Sequence, residues 1–113
     1  MSRLEKDIQR KIKDYAQSLA VVVRKLNIDG EIGWPDLICM YRGVTWYIEV
    51  KRLGEQTRRS QIRIHQLIKK TGHDVFVVDT VSDGKLVVDI QKNHIDLTHA
   101  KSNEGELNDK CDQ

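Results

Sequence analysis

Apolar residues recur at helical spacing near the start of the chain. Leu4, Ile8, Ile12, Tyr15, Ala16 and Leu19 fall on one face, while Arg, Lys and Asp fill the others. Ser2 stands just ahead as an N-cap, so the pattern predicts an amphipathic helix over 3–19. Ala20 to Leu26 is β-branched and apolar until Arg24 and reads as a strand, which Asn27-Ile28-Asp29-Gly30 breaks. A loop with two glycines, Asp29 to Trp34, leads through the only proline, Pro35, into a strand from Asp36 to Tyr41. Arg42-Gly43 is a short turn, and Val44 to Arg52, rich in Val, Thr, Trp, Tyr and Ile, is the clearest strand of all. These two strands form a hairpin.

Leu53 to Thr57 is a polar loop, after which Ile64, Leu67, Ile68 and Thr71 mark the buried side of a second helix over 58–71, ending at Gly72. Val75 to Val78 is an apolar run of strand length, and Asp83-Gly84 reads as a turn into a final strand-like segment near Leu86 to Ile90. The order is helix, three strands, helix, strand, which is an α/β chain with a mixed sheet flanked by helices. There is no internal repeat. Beyond Leu97 the sequence turns polar, so the reading is one domain over 1–97 with a disordered tail over 98–113.

Composition narrows the class. A chain of 113 residues is long enough to fold as one domain without staples, and its 39% hydrophobic and 32% charged residues are ordinary for a soluble protein. Cys39 lies in an apolar run and Cys111 in the polar tail, so a disulfide framework is not expected. No window approaches the roughly 18 apolar residues of a spanning helix, and the charged N-terminus is unlike a secretory peptide. The expected location is therefore a reducing cytoplasm, with no membrane partner.

The net charge of +2 hides an uneven distribution, because the segment from Thr98 to Gln113 is net −2 and leaves +4 on the body. Between Arg42 and Lys70, eight basic residues stand against only Glu49 and Glu55, an excess suited to a polyanion.

The candidate chemistry lies on the third strand. Side chains alternate there, so Tyr47, Glu49 and Lys51 share one face while Trp46, Ile48 and Val50 take the other. The Cα atoms of Glu49 and Lys51 lie about 7 Å apart. The hairpin at Arg42-Gly43 folds Asp36 back toward them, so three charged groups converge. Two acidic side chains with backbone carbonyls and waters suit Mg²⁺. A lysine beside them can orient or help deprotonate a water that attacks a phosphodiester, and can balance charge on the phosphate. Glu-x-Lys alone is equally the pattern of an ordinary surface pair, and it is Pro35-Asp36 after a glycine loop at hairpin distance that changes its meaning.

Pro35-Asp36 followed by Glu49-Val50-Lys51 resembles the PD-(D/E)XK nuclease signature, with glutamate at its second acidic position. Glu5, the run Gly33-Trp34-Pro35-Asp36-Leu37, Ile48-Glu49-Val50-Lys51, Ser60-Gln61 and Gly72 before an apolar strand look like the VRR-NUC (virus-type replication-repair nuclease) branch, over roughly residues 3–80. The resemblance implies a restriction-endonuclease-like core. Asp36 and Glu49 would bind Mg²⁺ or Mn²⁺ with the Val50 carbonyl as a further ligand, Lys51 would position the attacking water, and Glu5 and Gln61 would join from the two helices. It also implies a homodimer that cuts branched DNA such as Holliday junctions, and a virus-related role in the host-cell cytoplasm.

Glu5 can equally be a first-turn residue favouring the helix dipole, and Gln61 an exposed helix residue. Asp29 and Glu31 are reserves should Glu5 not be used. Arg24, Lys25, Arg52, Arg58, Arg59 and Arg63 are the candidates for phosphate contact, which supplies affinity without sequence information. The four histidines show no ligand-like spacing with either cysteine, Cys39 reads as core, and Trp34, Trp46 and Tyr47 read first as packing. Two alternatives stay open: another endonuclease on this fold, cutting flaps, single strands or specific sites, and a DNA-binding subunit that does not cut.

Overall fold

A computed structural model describes the backbone from Ser2 to Cys111 and side chains from Ser2 to Lys101. Ser2 Oγ accepts the Glu5 backbone N–H (3.2 Å) and so caps helix α1 (Arg3–Ser18), whose Ile8, Ile12 and Ala16 are buried. Strand β1 (Val22–Lys25) pairs antiparallel with β2 (Leu37–Tyr41), and β2 pairs antiparallel with β3 (Val44–Val50). The β2–β3 loop is Arg42-Gly43, both at positive φ (47° and 81°), the combination that a two-residue hairpin turn requires. Helix α2 (Arg59–Lys70) then carries the chain over to β4 (Asp74–Val78), which lies parallel to β3 at the sheet edge.

Alternation along the strands sorts the core into two layers. On one face, Val23, Leu37, Cys39, Trp46, Ile48, Val50 and Val78 pack with Ile8, Ile12 and Ala16 of α1. On the other, Ile64 and Ile68 of α2 pack on Val75, flanked by Trp34 and Tyr47. The α/β core with a mixed sheet flanked by helices agrees with the sequence reading.

The end of the chain does not. The segment near Leu86 to Ile90, expected as a strand, belongs to helix α3 (Val81–Cys111). Thr80 Oγ1 accepts the Asp83 backbone N–H (3.0 Å), an N-cap interaction, and the buried positions Gly84, Val88 and Ile95 recur at helical spacing. Gly84 is a packing glycine rather than a turn glycine, since a Cβ there would stand 2.3 Å from Ile12 Cδ1. Leu86 and Ile90, each 55% exposed, lie off that buried face, and the apolar residues on two sides of the helix had mimicked a strand. Of the segment expected as a tail, residues through Cys111 fall within α3, and His99 Nε2 lies 3.1 Å from the Arg42 carbonyl oxygen. Asp112 and Gln113 lie outside the described residues.

Candidate active site

The β2–β3 register builds the centre. Leu37 pairs with Ile48, so Asp36, one residue before β2, stands opposite Glu49 near the end of β3. Asp36 Oδ2 accepts the Val50 backbone N–H at 2.8 Å, which clamps the carboxylate across the hairpin. Burial raises the Asp36 pKa, the Val50 N–H opposes that rise, and Glu5 adds to it. Lys51 continues from β3, with its backbone N–H donated to the Val78 carbonyl (2.8 Å).

Glu49 and Lys51 are only 3% and 5% exposed, unusual for charged residues, and such burial demands partners. Gln61 supplies them. Its Oε1 accepts from Lys51 Nζ (2.6 Å) and from the Arg58 backbone N–H at the start of α2 (2.9 Å), while its Nε2 donates to Glu49 Oε1 (3.1 Å). The backbone N–H fixes which end of the amide is the oxygen, so the nitrogen faces the carboxyl group. Glu49 Oε2 is buried with no hydrogen-bond partner among the described residues. Burial first, then the Asp36 charge, push the Glu49 pKa up to about 8.

Glu5 reaches the centre from α1, where it adds to the upward shift on both Asp36 and Glu49. Its Oε1 lies 3.2 Å from Arg52 Nε and accepts from Ser2 Oγ at 3.2 Å. These groups form the wall of an open pocket of about 740 Å³ lined by Ser2, Glu5, Arg52, Leu53, Gly54, Glu55 and Arg58. The structure thus gathers Asp36, Glu49, Lys51, Glu5 and Gln61 around one centre, with Arg52 and Arg58 beside it.

The other basic candidates spread out. Lys25 acts on the Asp36 carboxyl, Arg24 Nη1 donates to the Val23 carbonyl (2.9 Å), Arg63 lies 4.0 Å from Glu31, and Arg59 is exposed at the start of α2. Glu31 serves the loop instead of the centre: its Oε1 accepts from Trp34 Nε1 at 2.7 Å.

Sequence reasoning passed over Glu55 except as a charge. Its Oε2 accepts the Arg52 backbone N–H (3.2 Å), its own N–H is donated to the Arg52 carbonyl (2.9 Å), and its Oε1 lies 4.0 Å from Lys51 Nζ. An acidic residue four positions after a catalytic-type lysine, across a glycine at φ 81°, is the signal that could have found it. His65 was missed as well: one turn beyond Gln61 on α2, it is 7% exposed with Nε2 unpartnered among the described residues, and burial lowers its pKa.

No protein-family model matches the chain, and no curated protein matches it. A solved structure does, a "VRR_NUC domain" at 32% identity and TM-score 0.70, covering 78% of this chain and 97% of that one. The chain belongs to the VRR-NUC family. Its core is the restriction-endonuclease-like α/β core of PD-(D/E)XK nucleases, and it carries that signature as Pro35-Asp36 and Glu49-Val50-Lys51. No described helix of this VRR-NUC chain is long and apolar enough to cross a membrane.

The VRR-NUC centre fits a small divalent cation through few protein ligands. Among the described residues no three His, Cys, Asp or Glu side chains form a ready cluster, and the carboxyl groups that act on one another at the centre are Asp36 and Glu49, with Glu5 alongside. A small hard cation that keeps several waters of its own needs few protein ligands. The orphaned Glu49 Oε2, buried and raised in pKa beside Asp36, is the oxygen in most need of a cation.

Proposed function

We propose that the chain is a divalent-metal-dependent DNA endonuclease that hydrolyses phosphodiester bonds, acts as a homodimer and selects branched DNA such as four-way junctions. The buried Glu49, with one oxygen unpartnered and its neighbour Lys51 tied to Gln61, carries the catalytic part of this reading. Burying a carboxyl group and a lysine side by side costs stability, and such perturbed pairs cluster at functional sites. The reading for branched DNA and for two copies rests on the family. A junction needs paired cuts on two strands, which two copies of the site would supply.

Asp36, Glu49 and the Val50 carbonyl would hold Mg²⁺, or Mn²⁺ in its place, with Glu5 alongside. When bound, the cation supplies Lewis-acid stabilisation of charge on the phosphate. Lys51, fixed by Gln61, holds the attacking water and offsets charge as the phosphorus gains its fifth oxygen. The bond to the leaving sugar oxygen then breaks; the water gives up one proton to solvent and the leaving oxygen takes one up from solvent, so the hydrolysis balances. Arg52 and Arg58, with Lys25, Arg24, Arg59 and Arg63 further out, contact phosphates and hold the strand. The viral role in the host-cell cytoplasm follows from the family name alone and belongs to the same proposal.

The test is cleavage of labelled four-way-junction and linear duplex DNA with Mg²⁺, Mn²⁺ or chelator, comparing the native chain with Asp36→Ala and Lys51→Ala. The expected result is metal-dependent cutting of junctions by the native chain, and binding without cutting by both variants. Equal cutting of linear DNA would remove the junction preference, and binding with no cutting in any metal would leave a DNA-binding subunit.

A further inference from the structure

A second concavity lies along α1 from the catalytic pocket. Glu5 lines the first, and Gln9, one helical turn on, lines the second, an open groove of about 260 Å³ between α1 and the β1–β2 edge. Its walls are Lys6, Gln9, Arg10, Lys13, Lys25 and Leu37. Four cations therefore share one concave surface, and among the described residues no acidic side chain lines it.

Most basic helix faces are merely solvated, and three features set this one apart. Its charges come from two elements, since Lys25 ends β1 and meets the α1 residues across the groove. They are also nearly uncompensated: the only ion pair they make among the described residues is Arg10 with Asp7, an exposed contact at 3.6 Å that is worth little. Finally, the groove opens beside the catalytic centre. Leu37 on its wall directly follows Asp36, and the Leu26 N–H just after Lys25 is donated to the Asp36 carbonyl (2.8 Å).

Resting on the nuclease reading above, we infer that this groove seats the sugar-phosphate backbone of duplex DNA next to the scissile bond, with Lys6, Arg10, Lys13 and Lys25 as its phosphate contacts. Lys6 to Lys13 spans about 10 Å of helix axis. That length matches roughly three base steps of one DNA strand at about 3.4 Å each. Arg52 and Arg58 then hold the strand at the catalytic pocket, and the groove holds it one helical turn further along α1. The four cations read no base, so the contact is insensitive to sequence.

The test is equilibrium binding of labelled duplex DNA, with chelator present so that nothing is cut, across a series of salt concentrations. The triple variant Lys6→Ala/Arg10→Ala/Lys13→Ala is compared with the native chain, with Lys25→Ala, and with Lys85→Ala/Lys101→Ala, two exposed positions of α3, as a control for charge lost elsewhere. Circular dichroism confirms that the exposed-face variants fold. Each lost phosphate contact lowers the slope of log K against log salt by about 0.9, so the triple variant should lose about 2 to 3 units of slope and bind at least tenfold more weakly at moderate salt. The control should stay within about threefold of native with an unchanged slope.

A triple variant that matches the control overturns the groove. If it does so while Asp36→Ala abolishes cutting, the nuclease reading stands without the groove. If the slope falls as expected but the native chain cuts in no metal, the groove stands and the nuclease reading falls.

Discussion

Replacing Glu49 by Gln should stabilise the metal-free protein, and more so as pH rises. The Glu49 carboxyl sits at about 8 in the folded chain against an ordinary 4.5. Below pH 4.5 both folded and unfolded chains hold the proton and nothing is lost. Between the two values the unfolded chain releases the proton while the folded chain keeps it, so stability falls as pH rises and levels off above about 8. The part of this shift that develops between pH 5 and pH 8 corresponds to roughly 3–4 kcal/mol, which partial solvation of the site reduces to about 2 kcal/mol. Asp36 is raised too and contributes with the same sign.

Glutamine matches the protonated glutamic acid in shape and carries no charge to lose, so Glu49→Gln keeps only the slope that Asp36 contributes. Urea unfolding with chelator at pH 5 and pH 8 reads both curves. The native chain should lose about 2 kcal/mol more than the variant over that range, and the variant should be the more stable at pH 8. A saturating divalent cation should reverse the native trend, because it binds the ionised folded form and stabilises in proportion to the logarithm of its concentration. The variant should gain much less. Equal pH slopes for the two chains, or a variant less stable than native at pH 8, would refute the claim that burial of this carboxyl opposes folding.

Gln61→Ala removes the common partner of Lys51, Glu49 and the α2 N-terminus. Cleavage should fall about a hundredfold and stability by about 1–2 kcal/mol, with DNA affinity within a few-fold of native, read by single-turnover kinetics, thermal melts and equilibrium binding. Gly33→Ala places a Cβ 2.5 Å from the Ser60 carbonyl oxygen at a residue with φ 102°, so the loop that ends in Asp36 must lift off α2. A loss of about 2–4 kcal/mol is expected in denaturant melts, and a loss below about 0.5 kcal/mol would show that the loop is not clamped there. Gly84→Ala should cost about 1–2 kcal/mol through its clash with Ile12, although alanine is the better helix former. Ile12→Val in the same chain, which removes the clashing Cδ1, should recover part of that loss where it would otherwise destabilise.

The centre was legible in the sequence because a β-hairpin turns spacing into geometry. Once Arg42-Gly43 is taken as a two-residue turn, pairing places Asp36 against Glu49, and strand alternation puts Lys51 on the same face. Only local rules are needed, and the register agrees with them. The place of Gln61 was not open to such rules, because α2 reaches the sheet through a loop and a parallel crossover, and nothing local says which helical face meets Lys51. The family resemblance supplied that residue. Glu55 escaped both routes, since its role arises from a turn closed by its own side chain and backbone.

The last helix shows the opposite failure and explains it. Leu86-Val87-Val88 and Ile90 follow an Asp-Gly pair, which locally favours a turn and strand. What decides the outcome is Ile12 on α1, seventy-two residues earlier in the chain, which leaves room at Gly84 for a hydrogen atom and nothing larger. The same close approach of α3 and α1 seals the sheet face behind Trp46 and Ile48, so Glu49 and Lys51 take the opposite face, where α2 packs on Val75 and brings Gln61 to both of them. The element the sequence pattern misread is thus far from the chemistry yet determines which side of the sheet can carry it.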